Sequence, residues 1–263
     1  MQLIEKPAEF SNRFKNWKGG ENLSNYPFVE NVHAPFSPLR RGLPMLNLAL
    51  ISAAGAYIDG TDPFDIESRE DDASFREIPI TVDAEDIQYA AKGYDPAAVR
   101  QDRNALVPVD RLEEYMANAV IGKLNDVWWS VSSFVADALA VAETLAPAIA
   151  ERLDRYHVQA ALLIPSSRLS HQTVGLIARG IEMSGIPTIV ISVDTSVTDL
   201  VRPPRTAYYR GDFDSVAGKP GWREYQLRVL DETLRWIETF DQPGARKLAV
   251  DLQTQVEAAR GER

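Results

Sequence analysis

The stretch that decides the fold runs Ala160-Ala-Leu-Leu-Ile-Pro-Ser-Ser-Arg-Leu-Ser-His-Gln-Thr-Val-Gly-Leu176 and continues, after a short interval, with Gly185-Ile-Pro-Thr-Ile-Val-Ile-Ser192. It predicts a buried strand, a polar turn, a helix and a second buried strand, because two short apolar runs flank a longer segment bounded by turn residues. Such a βαβ unit indicates a parallel sheet. Open α/β sheets bind their ligands beyond the carboxyl ends of the strands, so the turn over 165–172 is the predicted site.

The rest of the chain extends the same pattern. Residues 45–52 form a nearly continuous apolar run, as expected of a strand buried on both faces. Helical spacing of apolar residues predicts helices over 109–117, 137–156 and 223–240. The predicted fold class is α/β, with a mainly parallel sheet flanked by helices in Rossmann-like or flavodoxin-like layers. We expect a single compact domain whose strand ends near 52, 166 and 194 converge on one edge.

The domain organisation predicted from composition has three parts. Residues 1–44 are an N-terminal arm, 45–242 the α/β domain, and 243–263 a charged C-terminal tail. Within the domain, 59–104 is a long acidic loop, and loops of that length are uncommon and usually functional. We expect it to be a lid that covers the site and orders on ligand binding. The alternative is a fixed arm packed against the body or a neighbouring subunit.

Composition excludes several classes of protein. The chain has 263 residues and a formal net charge of −10, which argues against nucleic acid or an anionic membrane as the main partner. It has no cysteine, so disulfides, thiolate metal sites and cysteine nucleophiles are excluded. No apolar run is long enough to span a membrane, and the N-terminus lacks the order of a signal peptide. The expected location is the cytoplasm.

The predicted turn concentrates polar side chains that support more than one chemistry. His171 beside Ser167 or Ser170 is a possible base and nucleophile pair, since a hydroxyl needs an adjacent base to attack. In the alternative, Ser170 caps the helix and His171 lies in its first turn. A third interpretation is anion binding at the helix N-terminus, with the fork of Arg168 pairing with a carboxylate.

The acidic segment and the histidines bear on metals and cofactors. Asp59, Asp62 and Asp65 have a spacing that could ligate a hard cation, although a solvated acidic loop is the interpretation we favour. Arg76 either positions a substrate carboxylate or pairs with these aspartates. With three histidines and no cysteine, we predict no metal site. The turn after residue 52 lacks the spaced glycines of a dinucleotide site, so no cofactor is predicted.

Nine motifs follow one another through the chain: Ala34-Pro-Phe-Ser-Pro-Leu-Arg-Arg41, Leu46-Asn-Leu-Ala-Leu-Ile-Ser-Ala-Ala-Gly55, Asp62-Pro-Phe-Asp65, Ser74-Phe-Arg-Glu-Ile-Pro79, Gly93-Tyr-Asp95, Asp102-Arg-Asn-Ala-Leu-Val-Pro-Val-Asp-Arg-Leu112, Ile121-Gly122, Pro165 to Leu176 and Gly185-Ile-Pro187. In this order they resemble the glycine/sarcosine/betaine/D-proline reductase family, in particular its substrate-binding selenoprotein B-type subunits.

The resemblance implies a chemistry that this chain lacks the residues to perform. In that family the turn after Pro165 carries a selenocysteine or cysteine, with further cysteines just beyond it, and the selenol or thiol attacks the substrate carbon and displaces an amine. Aligned on Pro165 and the segment 172–176, the nucleophile position falls on Ser167 and the following cysteine positions on Ser170 and His171. A serine hydroxyl is a weaker nucleophile and cannot cycle to a disulfide, so reductive elimination is not expected here.

The predicted function is therefore that of a cysteine-free relative that binds a small carboxylate or amino-acid-like substrate at 165–172. We expect non-redox chemistry such as elimination or hydrolysis that cleaves a C–N or related bond. Alternatives are a non-catalytic binding module and an oxidoreductase component that lends substrate binding to a redox partner. A homo-oligomer or a partner subunit is expected, without nucleic acid or membrane. The candidate catalytic residues are His171, Ser167 and Ser170, and the candidate substrate-binding residues are Arg168, Ser166, Arg76, Ser52 and Asp194.

Overall fold

The computed structural model describes residues 2–20, 23–67 and 72–250 of the chain. Ten strands are described: β1 Asn47–Ser52, β2 Ala56–Ile58, β3 Phe75–Pro79, β4 Ile87–Tyr89, β5 Lys123–Leu124, β6 Val127–Val131, β7 Ala160–Ile164, β8 Thr188–Ser192, β9 Arg205–Tyr208 and β10 Gly244–Lys247. The helices are α1 Pro7–Asn16, α2 Ala97–Gln101, α3 Val109–Ala117, α4 Ala138–Ala140, α5 Ala146–Arg155, α6 Arg168–Met183, α7 Thr195–Val201 and α8 Arg223–Thr239. A π-helical turn, Val141–Leu145, joins α4 to α5.

The central sheet has the strand order β10-β9-β8-β7-β1-β6-β3, and β5 also pairs with β1. Every pairing is parallel except that of β3, which runs antiparallel to β6. Strands β2 and β4 form a separate antiparallel pair. The predicted α/β fold with a mainly parallel sheet is confirmed.

Two apolar layers cover the two faces of the sheet, because successive side chains of a strand point to opposite faces. In β1, Leu48 and Leu50 face the layer that includes α3 and α8, whereas Ala49 and Ile51 face the layer that includes α5 and α6. Strands β7 and β8 alternate in the same way and are buried throughout. Burial on both faces is what their continuous apolar runs require.

The strand ends meet on one edge, as predicted. Ser52 lies beside Ile164 in the parallel register of β1 and β7, and the backbone N–H of Ala53 donates to the Ile164 carbonyl at 2.9 Å. Strand β8 continues the register from β7, so residues 192–194 lie on the same edge. The N-terminal arm packs against the α5 and α6 layer, where its residues Phe10 and Tyr26 are buried.

The sequence predicts a loop over the whole of 59–104, but part of this segment forms regular secondary structure. It contains β3, β4 and α2, and β3 pairs with β6 through all five of its residues. The strand escapes sequence analysis because it is a short edge strand with two adjacent charged residues, Arg76 and Glu77, rather than an apolar run. Residues 68–71 of this segment lie outside the described part of the chain.

The beginning of the expected C-terminal tail is also part of the sheet. Gly244–Lys247 form β10, which pairs in parallel with β9, and the following Leu248 and Val250 are buried. The side chains of β10 itself are mostly exposed, so the strand carries no hydrophobic pattern that sequence analysis can detect. Residues 251–263 lie outside the described residues. None of the helices in the described ranges has the length and apolarity needed to cross a bilayer.

Candidate functional site

The turn between β7 and α6 is closed by a reciprocal capping box. Ser167 is the N-cap, and its hydroxyl oxygen accepts from the backbone N–H of Ser170 at 3.0 Å. The Ser170 hydroxyl oxygen in turn accepts from the backbone N–H groups of Ser166 and Ser167, both at 2.8 Å, and donates to the Ser167 carbonyl. Ser167 rather than Ser170 is therefore the cap residue, and Ser170 completes the box from the first helical turn.

Three hydroxyls tie the turn and the first strand to neighbouring backbone. Ser166 donates to the Ala53 carbonyl at 2.5 Å, and Ser167 donates to the Ser133 carbonyl at 2.8 Å. Ser52, at the end of β1, donates to the carbonyl of Leu106 at 2.8 Å. All three serines are buried. Each hydroxyl proton is thereby held by a carbonyl oxygen.

His171 is fully buried and uses both ring nitrogens in hydrogen bonds to the backbone. Its Nδ1 lies 2.6 Å from the Ser167 carbonyl oxygen, and its Nε2 accepts from the Val193 N–H at 3.2 Å. A carbonyl only accepts and an N–H only donates, so Nδ1 carries the proton and the imidazole is neutral. Burial lowers the pKa of His171 to about 4. Neither nitrogen contacts a serine hydroxyl, so the structure does not form the base and nucleophile pair considered from the sequence.

Arg168 and Asp194 lie together at the rim of this edge. The Arg168 Nε is 3.8 Å from an Asp194 carboxylate oxygen, and Arg168 also donates to the Ser196 hydroxyl at 3.3 Å. Asp194 caps α7 by accepting from the Ser196 N–H at 3.1 Å. The side chain of Arg168 is 51% exposed, so its guanidinium is open to solvent. The structure therefore brings these two predicted binding residues together.

Arg76 lies away from the turn and holds the acidic segment. It is on β3, three strands from β7, which places it roughly 14 Å away at about 4.8 Å per strand. Its guanidinium is 3.5 Å from the Asp72 carboxylate, donates to the Pro63 carbonyl at 3.2 Å and covers the Phe64 ring. These contacts support the role of Arg76 as a partner of the acidic segment and not its role in positioning a substrate carboxylate. Within the described ranges, no three His, Asp or Glu side chains are grouped so as to hold a metal ion.

The segment around Gly93 covers the turn. Gly93 has a φ of +83°, and a Cβ at this position would lie 3.1 Å from the Ser167 Cβ. The backbone N–H of Lys92 donates to the Ser133 hydroxyl at 3.0 Å, and the Tyr94 hydroxyl donates to the Ala54 carbonyl at 2.6 Å. The Ser167 side chain is consequently shielded from solvent.

A second polar group at this edge was not singled out from the sequence. A hydrogen-bonded network at this edge joins residues at the start of α3 to Gln226 of α8. Asp102 and Asn104 lie before α3, and Asp110 lies in its first turn. The available signal is the motif over 102–112, which belongs to the family resemblance but by itself predicts no chemistry. Its partner Gln226 is 124 positions away from Asp102, beyond the reach of pattern analysis.

The fold and the edge together define an α/β protein with a polar site at its strand ends. The family model for glycine/sarcosine/betaine reductase selenoprotein B matches residues 14–166, more than half of the chain. The chain therefore belongs to this family, and the resemblance drawn from its motifs is confirmed.

Curated relatives agree with this assignment. The D-proline reductase subunit gamma of Acetoanaerobium sticklandii is 27% identical over 209 residues, which cover 80% of this chain and 85% of the relative. The glycine reductase complex component B subunit gamma of Symbiobacterium thermophilum is 30% identical over 178 residues, and that of Carboxydothermus hydrogenoformans 28% over 175. Each of these two matches covers 65% of this chain but only 40% of the relative. No solved structure matches the chain.

Proposed function

We propose that this chain is a binding subunit of a reductase-type complex and supplies no catalytic nucleophile of its own. Its ligand is a small carboxylate-bearing or amino-acid-like molecule, the class to which the substrates named in its relatives belong. The observation that carries the proposal is the closed turn, in which the side chains of Ser167, Ser170 and His171 are all engaged with backbone groups. We expect the complex in the cytoplasm, assembled with partner subunits or further copies of the chain.

The hydrogen bonds weigh against the non-redox enzyme considered from the sequence. An attacking serine needs a base within hydrogen-bond reach of its hydroxyl. The Ser167 hydroxyl instead donates to the Ser133 carbonyl, while the basic lone pair of His171 is taken by the Val193 N–H. Elimination or hydrolysis at this turn would require both groups to leave these bonds. Thiol or selenol chemistry has to come from another protein, because this chain has no cysteine.

The proposal predicts binding without turnover. Incubated alone with glycine, sarcosine, betaine or D-proline, the chain is expected to bind at least one of them in calorimetry and to release no amine from any. Captured by an affinity tag from the cells that produce it, the chain is expected to bring down a protein that carries cysteine or selenocysteine.

Two results would contradict this proposal in different ways. Amine release by the chain alone, abolished in His171→Asn while ligand binding persists, would identify an enzyme with His171 in its chemistry. If the chain binds none of the four compounds, the proposal of an amino-acid-like ligand is wrong. A His171→Asn protein should first be checked for native secondary structure by circular dichroism, since this residue is buried.

We also propose that parts of the segment 59–104 move when the ligand binds. Strand β3 is fixed by its pairing with β6, so we place the movement in residues 60–67 and 90–95. The part around Gly93 covers the turn, and Lys92 ties it to the preceding acidic part by donating to the Ile66 carbonyl at 2.6 Å. This connection would let the two parts respond together.

Hydrogen exchange with and without a bound ligand tests the movement. We expect amides over 60–67 and 90–95 to become more protected with ligand, because closure of a lid shields its backbone. Amides of β3 serve as the internal control, and their protection should be the same with and without ligand. Equal protection of all three stretches in both states would show that the segment is a fixed arm.

A further inference from the structure

A cavity of about 600 Å³ lies at the carboxyl edge, on the sheet face opposite to the capped turn. The starts of α3 and α8 line it together with the end of α2. Both α3 and α8 begin at this edge, since each precedes a strand that runs parallel to the rest of the sheet. Near the cavity, the Ser52 hydroxyl at the end of β1 donates to the carbonyl of Leu106, two residues beyond the lining residue Asn104. The volume of the cavity suits a small molecule.

The wall of the cavity is held rigid by two carboxylates. Asp102 accepts from the Asn104 side chain at 2.9 Å, from the Gly221 N–H at 2.9 Å and from the Gln226 side chain at 2.7 Å. Asp110 accepts from Asn104 at 2.7 Å and pairs with Arg103. Burial opposes ionisation of Asp102, but its hydrogen bonds outweigh that effect and lower its pKa. The same balance, with Arg103 as the main donor, lowers the pKa of Asp110.

The same network leaves two buried acceptors without a partner. The amide nitrogens of Asn104 and Gln226 donate to carboxylate or carbonyl oxygens, which fixes the orientation of both amides. Their carbonyl oxygens, Asn104 Oδ1 and Gln226 Oε1, then have no hydrogen-bond partner among the residues that the structure describes, although the two residues are only 2% and 1% exposed. Buried acceptors are nearly always satisfied in native proteins, so these two require a donor from elsewhere. An ammonium group supplies several donors from one atom.

The cavity also offers charges that are not engaged by the protein. Arg100 and Glu85 line it with exposed side chains, and neither has an ion-pair partner within the described ranges. Arg111 and Arg223, which also line it, both pair with Glu114. A free guanidinium is suited to a carboxylate, because its fork donates two parallel hydrogen bonds. Arg100 lines the same cavity as Asn104 and Gln226, and a guanidinium together with two acceptors is the complement of a zwitterion.

We propose that this cavity, rather than the capped turn, binds the amino-acid ligand, with Arg100 holding its carboxylate and the amide oxygens of Asn104 and Gln226 accepting from its ammonium. This inference rests on the proposed function, since it takes from it the class of ligand. It assigns a role to the motif over 102–112, whose residues Asp102, Asn104 and Asp110 build the wall. It also separates the ligand from the hydroxyls of the capped turn.

The test compares variants and ligands by calorimetry on the full chain. Arg100→Gln is expected to weaken binding of glycine or D-proline about ten-fold or more, the effect of losing a charge-assisted hydrogen bond. Arg155→Gln, which neutralises an exposed arginine on the other face of the sheet, is the matched control and should stay within about two-fold of wild type. Betaine keeps the carboxylate but has no N–H donor, so it should bind more weakly than glycine.

The outcomes distinguish this inference from the proposed function. If Arg168→Gln weakens binding and Arg100→Gln does not, the ligand lies at the capped turn, and only the inference is wrong. Equal binding of betaine and glycine to the wild-type chain would contradict the role of the amide oxygens. If the wild-type chain binds none of these compounds, both the inference and the proposed function are wrong.

Discussion

Replacing Arg205 by alanine is expected to lower the free energy of unfolding by about 3–5 kcal/mol, the usual cost of breaking a buried ion pair from one side. The side chains of Arg205 and Glu182 are completely buried, and their charged atoms are 2.6 Å apart. Arg205 also donates to the Ser37 carbonyl at 2.6 Å and covers the Phe36 ring. Glu182 without Arg205 is an uncompensated buried carboxylate. Chemical denaturation monitored by circular dichroism at pH 7 measures the difference.

The matched control for this substitution is Arg235→Ala. Arg235 also forms an ion pair with a carboxylate, that of Asp231, but these side chains are 70% and 43% exposed. Exposed pairs of this type contribute about 0.3–0.5 kcal/mol, so the control should be close to wild type. A loss of less than about 1 kcal/mol for Arg205→Ala would mean that the arm and sheet do not depend on this pair.

Acidification from pH 7 to pH 4.5 is expected to reduce stability by roughly 2–3 kcal/mol through His171 alone, because each unit of pKa difference corresponds to a little over 1 kcal/mol. The pKa of this imidazole is lowered by burial to about 4 in the folded chain, against 6.5 ordinarily. Between these values the unfolded chain takes up a proton that the folded chain does not. The stabilisation is therefore complete above pH 6.5 and is lost as the pH falls towards 4.

Two variants isolate the contribution of His171. In His171→Gln, which cannot titrate, the difference in unfolding free energy between pH 7 and pH 4.5 should shrink by that amount. His157→Asn is the matched control, because it replaces an exposed histidine and asparagine tolerates its left-handed backbone, φ +53°. An unchanged pH dependence in His171→Gln would show that the imidazole is not held neutral.

The parts of the fold that sequence analysis predicted are those with continuous apolar runs. Strands β1, β7 and β8 are buried on both faces, and this leaves a clear pattern in the sequence. Strands β3 and β10 lie at the two edges of the sheet, where pairing with a neighbour determines the structure and polar side chains suffice. Their positions depend on contacts with β6 and β9, which no local pattern reports.

The same distinction applies to the candidate site. The location of the turn followed from one βαβ unit, and the identity of its polar residues could be listed from the sequence. What those residues contact could not, because Ser167 binds the carbonyl of Ser133 and His171 binds the N–H of Val193, each on another strand end. The network that joins Asp102 to Gln226 likewise depends on how α8 returns to the sheet.

The close approach of Gly93 to Ser167 limits which side chains position 167 can accommodate. By resemblance, position 167 is where relatives keep sulfur or selenium, atoms larger than the hydroxyl oxygen. Here the space above it is filled by a glycine backbone in a left-handed conformation, and the hydroxyl is held by Ser133 and by the Ser170 N–H. A thiol at position 167 would therefore need the covering segment and the cap to change together with the residue itself, so no single substitution at 167 is expected to create a reactive thiol there.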